Sequence, residues 1–319
     1  MHDISAYLEA SFLKDLLFIP GITDISYNGE EIYYLDNQRG RVRSSIVVTP
    51  GEVGDFLRQI ANFAERQFSY SEPILDVSFG RYRLNAVFRS LARQHNEKTF
   101  TFSLRIEREM ALRSGDPEFF PGKSEEILLG LLEAGESIVI GGRTSTGKTE
   151  LEKYLIAHLP TGTRVIVIDN VEELSLVPHD GIDMTHWLVN EAVPKGSFPS
   201  LVSNSLRNNP DYVVVAEARG AEMLDALISV MSGHPIITSV HGKSLEALPS
   251  RMARLAMLSG PKIDRDSLIE DINEHLRAYV HLEKRVDKSG RVIRFVESIG
   301  LLNPKTRAME ILFREENHA

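Results

Sequence analysis

Cysteine is missing altogether from this chain of 319 residues. That excludes disulfides and a four-cysteine zinc module, and it accords with a reducing, cytosolic compartment. Long apolar runs are missing too. Nothing approaches the length of a membrane-spanning helix. The opening Met1-His2-Asp3-Ile4 has neither the basic nor the apolar region of a secretion signal. The chain is therefore expected to be soluble and cytoplasmic, peripheral at the cytoplasmic face of the cell membrane, with any membrane association going through partners. Excess positive charge is the third absence. A total of 36 Lys and Arg against 45 Asp and Glu leaves a formal net charge of -9. That balance argues against a protein that holds nucleic acid mainly by neutralising phosphates, so no direct nucleic-acid partner is expected. Internal repeats and low-complexity tracts are also lacking.

What is present is most distinctive between Gly142 and Thr149, where the chain reads Gly-Arg-Thr-Ser-Thr-Gly-Lys-Thr. This satisfies G-x-x-x-x-G-K-[ST], the phosphate loop called Walker A. An apolar stretch, Ser137 to Ile140, precedes it as a strand, and Leu151, Leu155, Ile156 and Leu159 follow at helical spacing. Glycines at both ends let successive backbone N–H groups converge on a phosphate, and the following helix adds its positive N-terminal dipole. Gly142, Arg143, Thr144, Ser145, Thr146, Gly147, Lys148, Thr149 and Glu150 are the expected nucleotide-binding residues. Lys148 is expected to reach the β- and γ-phosphates, and the Thr149 hydroxyl to sit on Mg²⁺. The chain is read as binding a nucleoside triphosphate, with ATP and Mg²⁺ as cofactors.

A length of 319 residues suggests two domains. Residues 1–106 read as a smaller α+β N-terminal domain. A helix is expected over Ala6 to Leu17, then strands over Ile22 to Asn28 and Glu31 to Leu35 joined by a turn at Asn28-Gly29, then a helix over Gly51 to Phe68, and further strands over Arg81 to Ser90 and Thr99 to Ile106. Residues 107–123, broken by Gly115, Pro117, Pro121 and Gly122, read as a linker. From residue 124 to 319 strand and helix patterns alternate as a mainly parallel α/β core requires. The tail, Ala278 to Glu283, Arg291 to Ile299 and Arg307 to Phe313, alternates like an antiparallel meander, with Lys288-Ser289-Gly290 as one turn.

Four apolar strands are expected in the second domain, at Ser137–Ile140, Arg164–Ile168, Tyr212–Ala216 and Ile236–Val240. Each runs directly into polar or special residues: the phosphate loop, Asp169-Asn170-Val171-Glu172-Glu173, Glu217-Ala218-Arg219-Gly220, and His241-Gly242. Ligands of open parallel sheets collect at the carboxyl ends of strands, so the four segments are expected to converge on one nucleotide. Hydrolysis of a γ-phosphate needs charge neutralisation and an oriented water. The carboxylates at hand are Asp169, Glu172, Glu173 and Glu217. Glu217 follows its strand as the acid of a Walker B element does, where it would hold the Mg²⁺ shell; the plainer reading is a carboxylate favoured by a helix dipole.

The string from Leu206 to Glu222, Leu-Arg-Asn-Asn-Pro-Asp-Tyr-Val-Val-Val-Ala-Glu-Ala-Arg-Gly-Ala-Glu, continues through Ser232-Gly233-His234 to Thr238-Ser239-Val240-His241. It resembles the secretion, or traffic, ATPases of type II and type IV secretion and type IV pili. The likeness extends through Ser250-Arg251-Met252-Ala253-Arg254-Leu255 and the final meander. It looks closest to the type IV secretion and tight-adherence pilus branches. The resemblance implies a RecA-like P-loop NTPase core in a homohexameric ring that turns ATP hydrolysis into domain motion, docked on an inner-membrane platform or other secretion-complex proteins. It implies that Glu173 orients the attacking water, that Glu217 is the Walker B acid, and that His241, with His234, relays between the phosphate region and its surroundings. It further implies that the N-terminal domain supplies arginines to the γ-phosphate, where Arg81, Arg83 and Arg105 fall, and that Arg207 and Arg219 lie at the subunit interface. Two departures stand out. Asp169-Asn170 replaces the usual Glu-Asp pair, which leaves Mg²⁺ coordination at that corner open, and Ala216 replaces a glycine.

The function that follows is ATP hydrolysis powering secretion or pilus assembly. A DNA translocase or helicase is the first alternative, which stimulation of turnover by single-stranded DNA would reveal. A nucleotide-gated assembly factor is the second, kept open by the altered acidic box and decided by steady-state phosphate release. A small-molecule kinase is a further option, with nothing resembling an acceptor pocket.

Overall fold

The computed structural model describes residues 4–107, 112–170, 174, 177–178, 180–191, 193–218, 220–260 and 264–316. The chain divides into two compact units, one of Met1–Arg108 with Val286–Val292 and the other of Glu109–Arg285 with Ile293–Ala319.

The expected first helix is broken into α1 (Ile4–Glu9) and α2 (Lys14–Leu17). Between them the Ser11 hydroxyl donates to the Leu8 carbonyl at 2.6 Å and accepts from the Leu13 N–H at 3.2 Å. A serine that bonds its own backbone competes with the helical ladder. β1 (Ile22–Tyr27) and β2 (Ile32–Asp36) form the expected hairpin, with the Asn28 side chain accepting from the Glu30 and Glu31 N–H groups. β3 (Gly40–Arg43), without an apolar pattern to announce it, adds to the edge. α3 (Pro50–Phe63) stops short of the expected Phe68 but starts on a full capping box, Thr49 with Glu52, with a proline in its first turn. β4 (Ile74–Phe79), β5 (Tyr82–Val87), the two-residue β6 (Arg93–Gln94) and β7 (Glu97–Lys98), and β8 (Thr101–Ile106) complete the unit. The main sheet runs β3-β2-β1-β8-β5-β4, with antiparallel neighbours. One face buries Ile25, Leu84 and Leu104 together with Leu57 and Ile60 of α3. The alternate residues, Arg83 and Arg105 among them, line the other face, since side chains along a strand point to opposite sides.

In the second unit α4 (Ser124–Glu133) leads to β9 (Ile138–Gly142), α5 (Lys148–Ala157), β10 (Arg164–Asp169), β11 (Asp183–Leu188), α6 (Phe198–Ser205), β12 (Tyr212–Val215), α7 (Glu222–Met231), β13 (Ile236–His241), α8 (Leu248–Ala256), α9 (Arg265–His275), β14 (Ala278–Val286), β15 (Val292–Leu302) and β16 (Met309–Arg314). The eight-stranded sheet has the order β11-β10-β12-β13-β9-β14-β15-β16. It is parallel from β11 through β14. β14, β15 and β16 are consecutive neighbours, as the expected meander requires, with a tight turn between β14 and β15 and an antiparallel pairing of β15 with β16; on its other edge β14 pairs parallel with β9 and so joins the meander to the parallel sheet. Its run Ala278–Leu282 is buried throughout, which suits a strand covered on both faces. Leu151, Leu155 and Ile156 of α5 pack on Ile138 and Ile140 from one side. Met252 of α8 and Ile272 of α9 pack with Val139 and Ile166 on the other. Within the stretch read as a linker, Leu112, Phe119 and Phe120 bury into the first of these layers. The architecture is an α/β core with a mainly parallel sheet and a smaller α+β unit ahead of it.

Candidate nucleotide-binding site

Every residue of β9 is buried, so the strand delivers Gly142 at a fixed point on the sheet edge where the chain leaves for α5. The loop between them has an exposed crown, Arg143 to Ser145, and a buried return at Thr146. Thr146 Oγ1 donates to the Arg143 carbonyl at 2.9 Å and closes the loop across its base. Gly147 caps α5 in the left-handed region at φ +97°, and a Cβ there would come within 3.1 Å of Phe119 Cε2. Glycine is required on both counts. The first turn of α5 is thus held at the loop, and the amino end of a helix is the arrangement that attracts phosphate.

Lys148 is 8% exposed, and its Nζ donates to the Arg143 carbonyl at 3.3 Å and reaches His241 Nδ1 at 3.4 Å. His241 is in register with Gly142 at the end of β13. On its far side, His241 Nε2 lies 2.8 Å from Glu217 Oε1. The ring thus lies between an ammonium at Nδ1 and a carboxylate at Nε2. Lys148, His241 and Glu217 therefore form one line across three strand ends. Glu217 is held there by its neighbours, because Ser239 Oγ donates to the Ala216 carbonyl at 2.8 Å and the Ala218 N–H donates to the Ser239 carbonyl at 3.0 Å. Thr149 and Glu150 open α5 beside Lys148.

Asp169 is 1% exposed at the end of β10. Its Oδ2 accepts from the Leu174 N–H at 3.1 Å and lies 3.6 Å from His186 Nε2 of β11. Asp169 thus ties the end of β10 to Leu174 and lies beside β11. Glu172, Glu173 and Arg219 lie outside the described residues. His234, expected with His241 to relay from the phosphate region, lies at the opposite end of the strand from it. It precedes β13, whose carboxyl end holds His241, and the strand alone spans about 16 Å at roughly 3.3 Å per residue. Arg207 is exposed just beyond α6.

In the first unit Arg83 and Arg105 are direct cross-strand partners on β5 and β8. Arg83 donates to Asp76 at 3.1 Å. Arg81 instead lies over the Phe18 and Tyr82 rings and donates to the Tyr82 hydroxyl, which in turn donates to Glu9 at 2.7 Å. Sequence reasoning missed Lys284, Arg294 and Phe119, all of which touch or abut the loop. None carries a motif, and only their places on β14, β15 and the preceding segment bring them there.

Residues 100–303 match the model of the family described as type II/IV secretion system protein. An uncharacterized Bacillus anthracis protein is 30% identical over 302 residues, 88% of this chain and 65% of that protein. The type IV secretion system protein VirB11 of Brucella suis is 29% identical over 225 residues, 62% of each chain. This chain thus spans a little under two thirds of the length of these two relatives. The crystal structure of the pilus retraction motor PilT with bound ADP shares the fold, with a TM-score of 0.64 at 17% identity over 96% of this chain and 83% of that one. With a phosphate loop between β9 and α5, acidic and imidazole groups at the neighbouring strand ends, and a family match over most of the second unit, the chain belongs to the type II/IV secretion system protein family of traffic ATPases.

Proposed function

We propose that this chain is a Mg²⁺-dependent ATP hydrolase that works as a homohexamer and powers type IV secretion or type IV pilus assembly. The observation that carries the reading is the line Lys148–His241–Glu217, which ends at the phosphate loop and joins the strand ends where a triphosphate would lie. The loop suits a phosphate because a left-handed glycine caps the helix and a buried ammonium already bonds the loop's own carbonyl. Thr149 and Glu217 would hold Mg²⁺, which when bound neutralises charge on the β- and γ-phosphates.

The protein's own groups then have separate tasks. The loop N–H groups and Lys148 bind and orient the phosphates. His241 keeps Glu217 oriented and registers the position of Lys148 through its other nitrogen. Glu173 orients the attacking water. Arg83 and Arg105, cross-strand partners on one face of the first unit's sheet, supply planar donors to the γ-phosphate. The relatives' printed names, a type IV secretion protein and a pilus motor with ADP, support secretion or pilus work with a bound nucleotide.

The test is MgADP binding by calorimetry together with steady-state phosphate release. The wild-type chain is expected to bind and to turn over, and Lys148→Ala to lose hydrolysis and bind nucleotide more weakly. Glu173→Gln is expected to keep ATP bound while turnover falls. Light scattering with Mg²⁺ and a non-hydrolysable ATP analogue is expected to report a ring of six; a monomer at micromolar concentration overturns that part. Turnover that rises with single-stranded DNA would favour a translocase instead.

A further inference from the structure

The crown of the phosphate loop stands in solvent, and its residue Ser145 adopts φ +62°. A side-chain-bearing residue in the left-handed region is strained and persists only where surrounding contacts over-determine it. Two cations supply such contacts from the far end of the chain. Lys284 Nζ of β14 donates to the Thr144 carbonyl at 3.0 Å, and Arg294 Nε of β15 donates to the Ser145 carbonyl at 2.9 Å. Among the described residues no peptide is cis. In a planar trans peptide the carbonyl and the next N–H point opposite ways. Holding the Thr144 and Ser145 carbonyls therefore aims the N–H groups of Ser145 and Thr146 to the other side, and a charged donor at each carbonyl polarises those N–H groups further.

We propose that Arg294, assisted by Lys284, is a positioning residue that pre-forms the anion cradle of the phosphate loop by fixing its carbonyls from behind. The proposal rests on the nucleotide reading above and adds to it the part played by the C-terminal strands. The two cations are not equal. Lys284 is exposed, so water competes with its bond, whereas Arg294 is partly buried. The Arg294 stem passes under the loop, its Cδ lying 3.7 Å from the place of a Cβ on Gly147. Burial pushes the guanidinium down from its ordinary value and Glu150, in the first turn of α5, pulls it back; arginine stays charged regardless. On the same strand the Val296 N–H donates to the Phe119 carbonyl at 2.9 Å, and Phe119 faces Gly147. The strand thus braces both the crown and the return of the loop.

The experiment compares the full-length wild type with Arg294→Met, Arg294→Lys and Lys284→Met. It measures the dissociation constants of MgADP and of Mg²⁺ with a non-hydrolysable ATP analogue, and thermal melting without nucleotide. Arg294→Met is expected to weaken both nucleotides alike, by about tenfold, the scale of one charge-assisted hydrogen bond. Lys284→Met is expected to cost less, Arg294→Lys to recover part of the loss, and melting without nucleotide to stay unchanged. Wild-type affinity in Arg294→Met overturns the proposal. So does a loss confined to the triphosphate analogue, which would mean direct contact with the γ-phosphate. A lowered melting temperature with no recovery in Arg294→Lys overturns it as well, because that is the mark of packing alone. If the wild type binds no MgADP, the nucleotide reading itself fails and the brace falls with it.

Discussion

Glu297 illustrates how a residue outside the nucleotide site can be made pH-sensitive by its neighbours. It lies 3.3 Å from Nδ1 of His281, which is 2% exposed, and Ser298 donates to it. The His281 imidazole, then the Ser298 hydroxyl, hold its carboxyl below the ordinary carboxylate range against the opposing effect of burial. A depressed carboxylate stabilises the fold above its unfolded-state value and loses that contribution as pH falls through the lower folded value. Glu297→Gln is therefore expected to lower stability by about 1 kcal/mol at pH 7, with the difference from wild type shrinking below about pH 4. Urea unfolding at several pH values checks it, and an equal deficit at acid pH would reject the ionic account. At this scale Lys148 and Glu217 were legible in the sequence, because a phosphate loop and an acid after a buried strand have fixed spacing. Lys284 and Arg294 were not. They recognise main-chain carbonyls, and a carbonyl leaves no mark on the residues that approach it.

Elements reveal why some segments of the fold could be read and others not. α3 announces itself through its capping box and first-turn proline, while β3 and β11 lack any run of apolar residues and pair at the edges of their sheets. Edge strands need bury only part of one face, so their pattern is weak. β14 was legible as the first strand of a meander, but its apolar run does not say what lies on its other edge. Pairing with β9 supplies that edge. The junction of β9 and α5 is the element on which the site depends. Gly147→Ala would force a left-handed alanine against Phe119. It is expected to abolish measurable MgADP binding while the chain still unfolds cooperatively, as calorimetry and denaturant melts would report. Retained affinity would mean that the loop tolerates a different path.

At the scale of the whole molecule the second unit carries the phosphate loop and the first carries Arg83 and Arg105 as cross-strand partners. If the arginines serve the γ-phosphate, Arg83→Ala or Arg105→Ala is expected to cut turnover at least tenfold while MgADP affinity stays near that of wild type, because ADP has no γ-phosphate to lose them. Lysine at either position is expected to recover only part of the rate, since it keeps the charge without the planar fork. Unchanged turnover would leave them as exposed strand charges, whose replacement ordinarily shifts little. Among the described residues no helix is long and apolar enough to cross a membrane.

The sequence by itself determined the phosphate loop, the parallel α/β class and the order of strand-end motifs, because each is written in short-range spacing: glycines where the backbone must turn, apolar runs where both faces are covered, acids where a strand stops. Tertiary structure alone decided which of those motifs meet. His241 reaches Lys148 and Glu217, whereas His234 falls at the other end of β13. It likewise turned Asp169 toward Leu174 and His186 and brought β14 and β15 behind the loop. Those outcomes depend on strand direction and register between segments more than a hundred residues apart, as for Lys284 and Thr144. Local pattern does not encode them, since hydrogen-bonded pairing sets which side chains share an edge only when the sheet has formed.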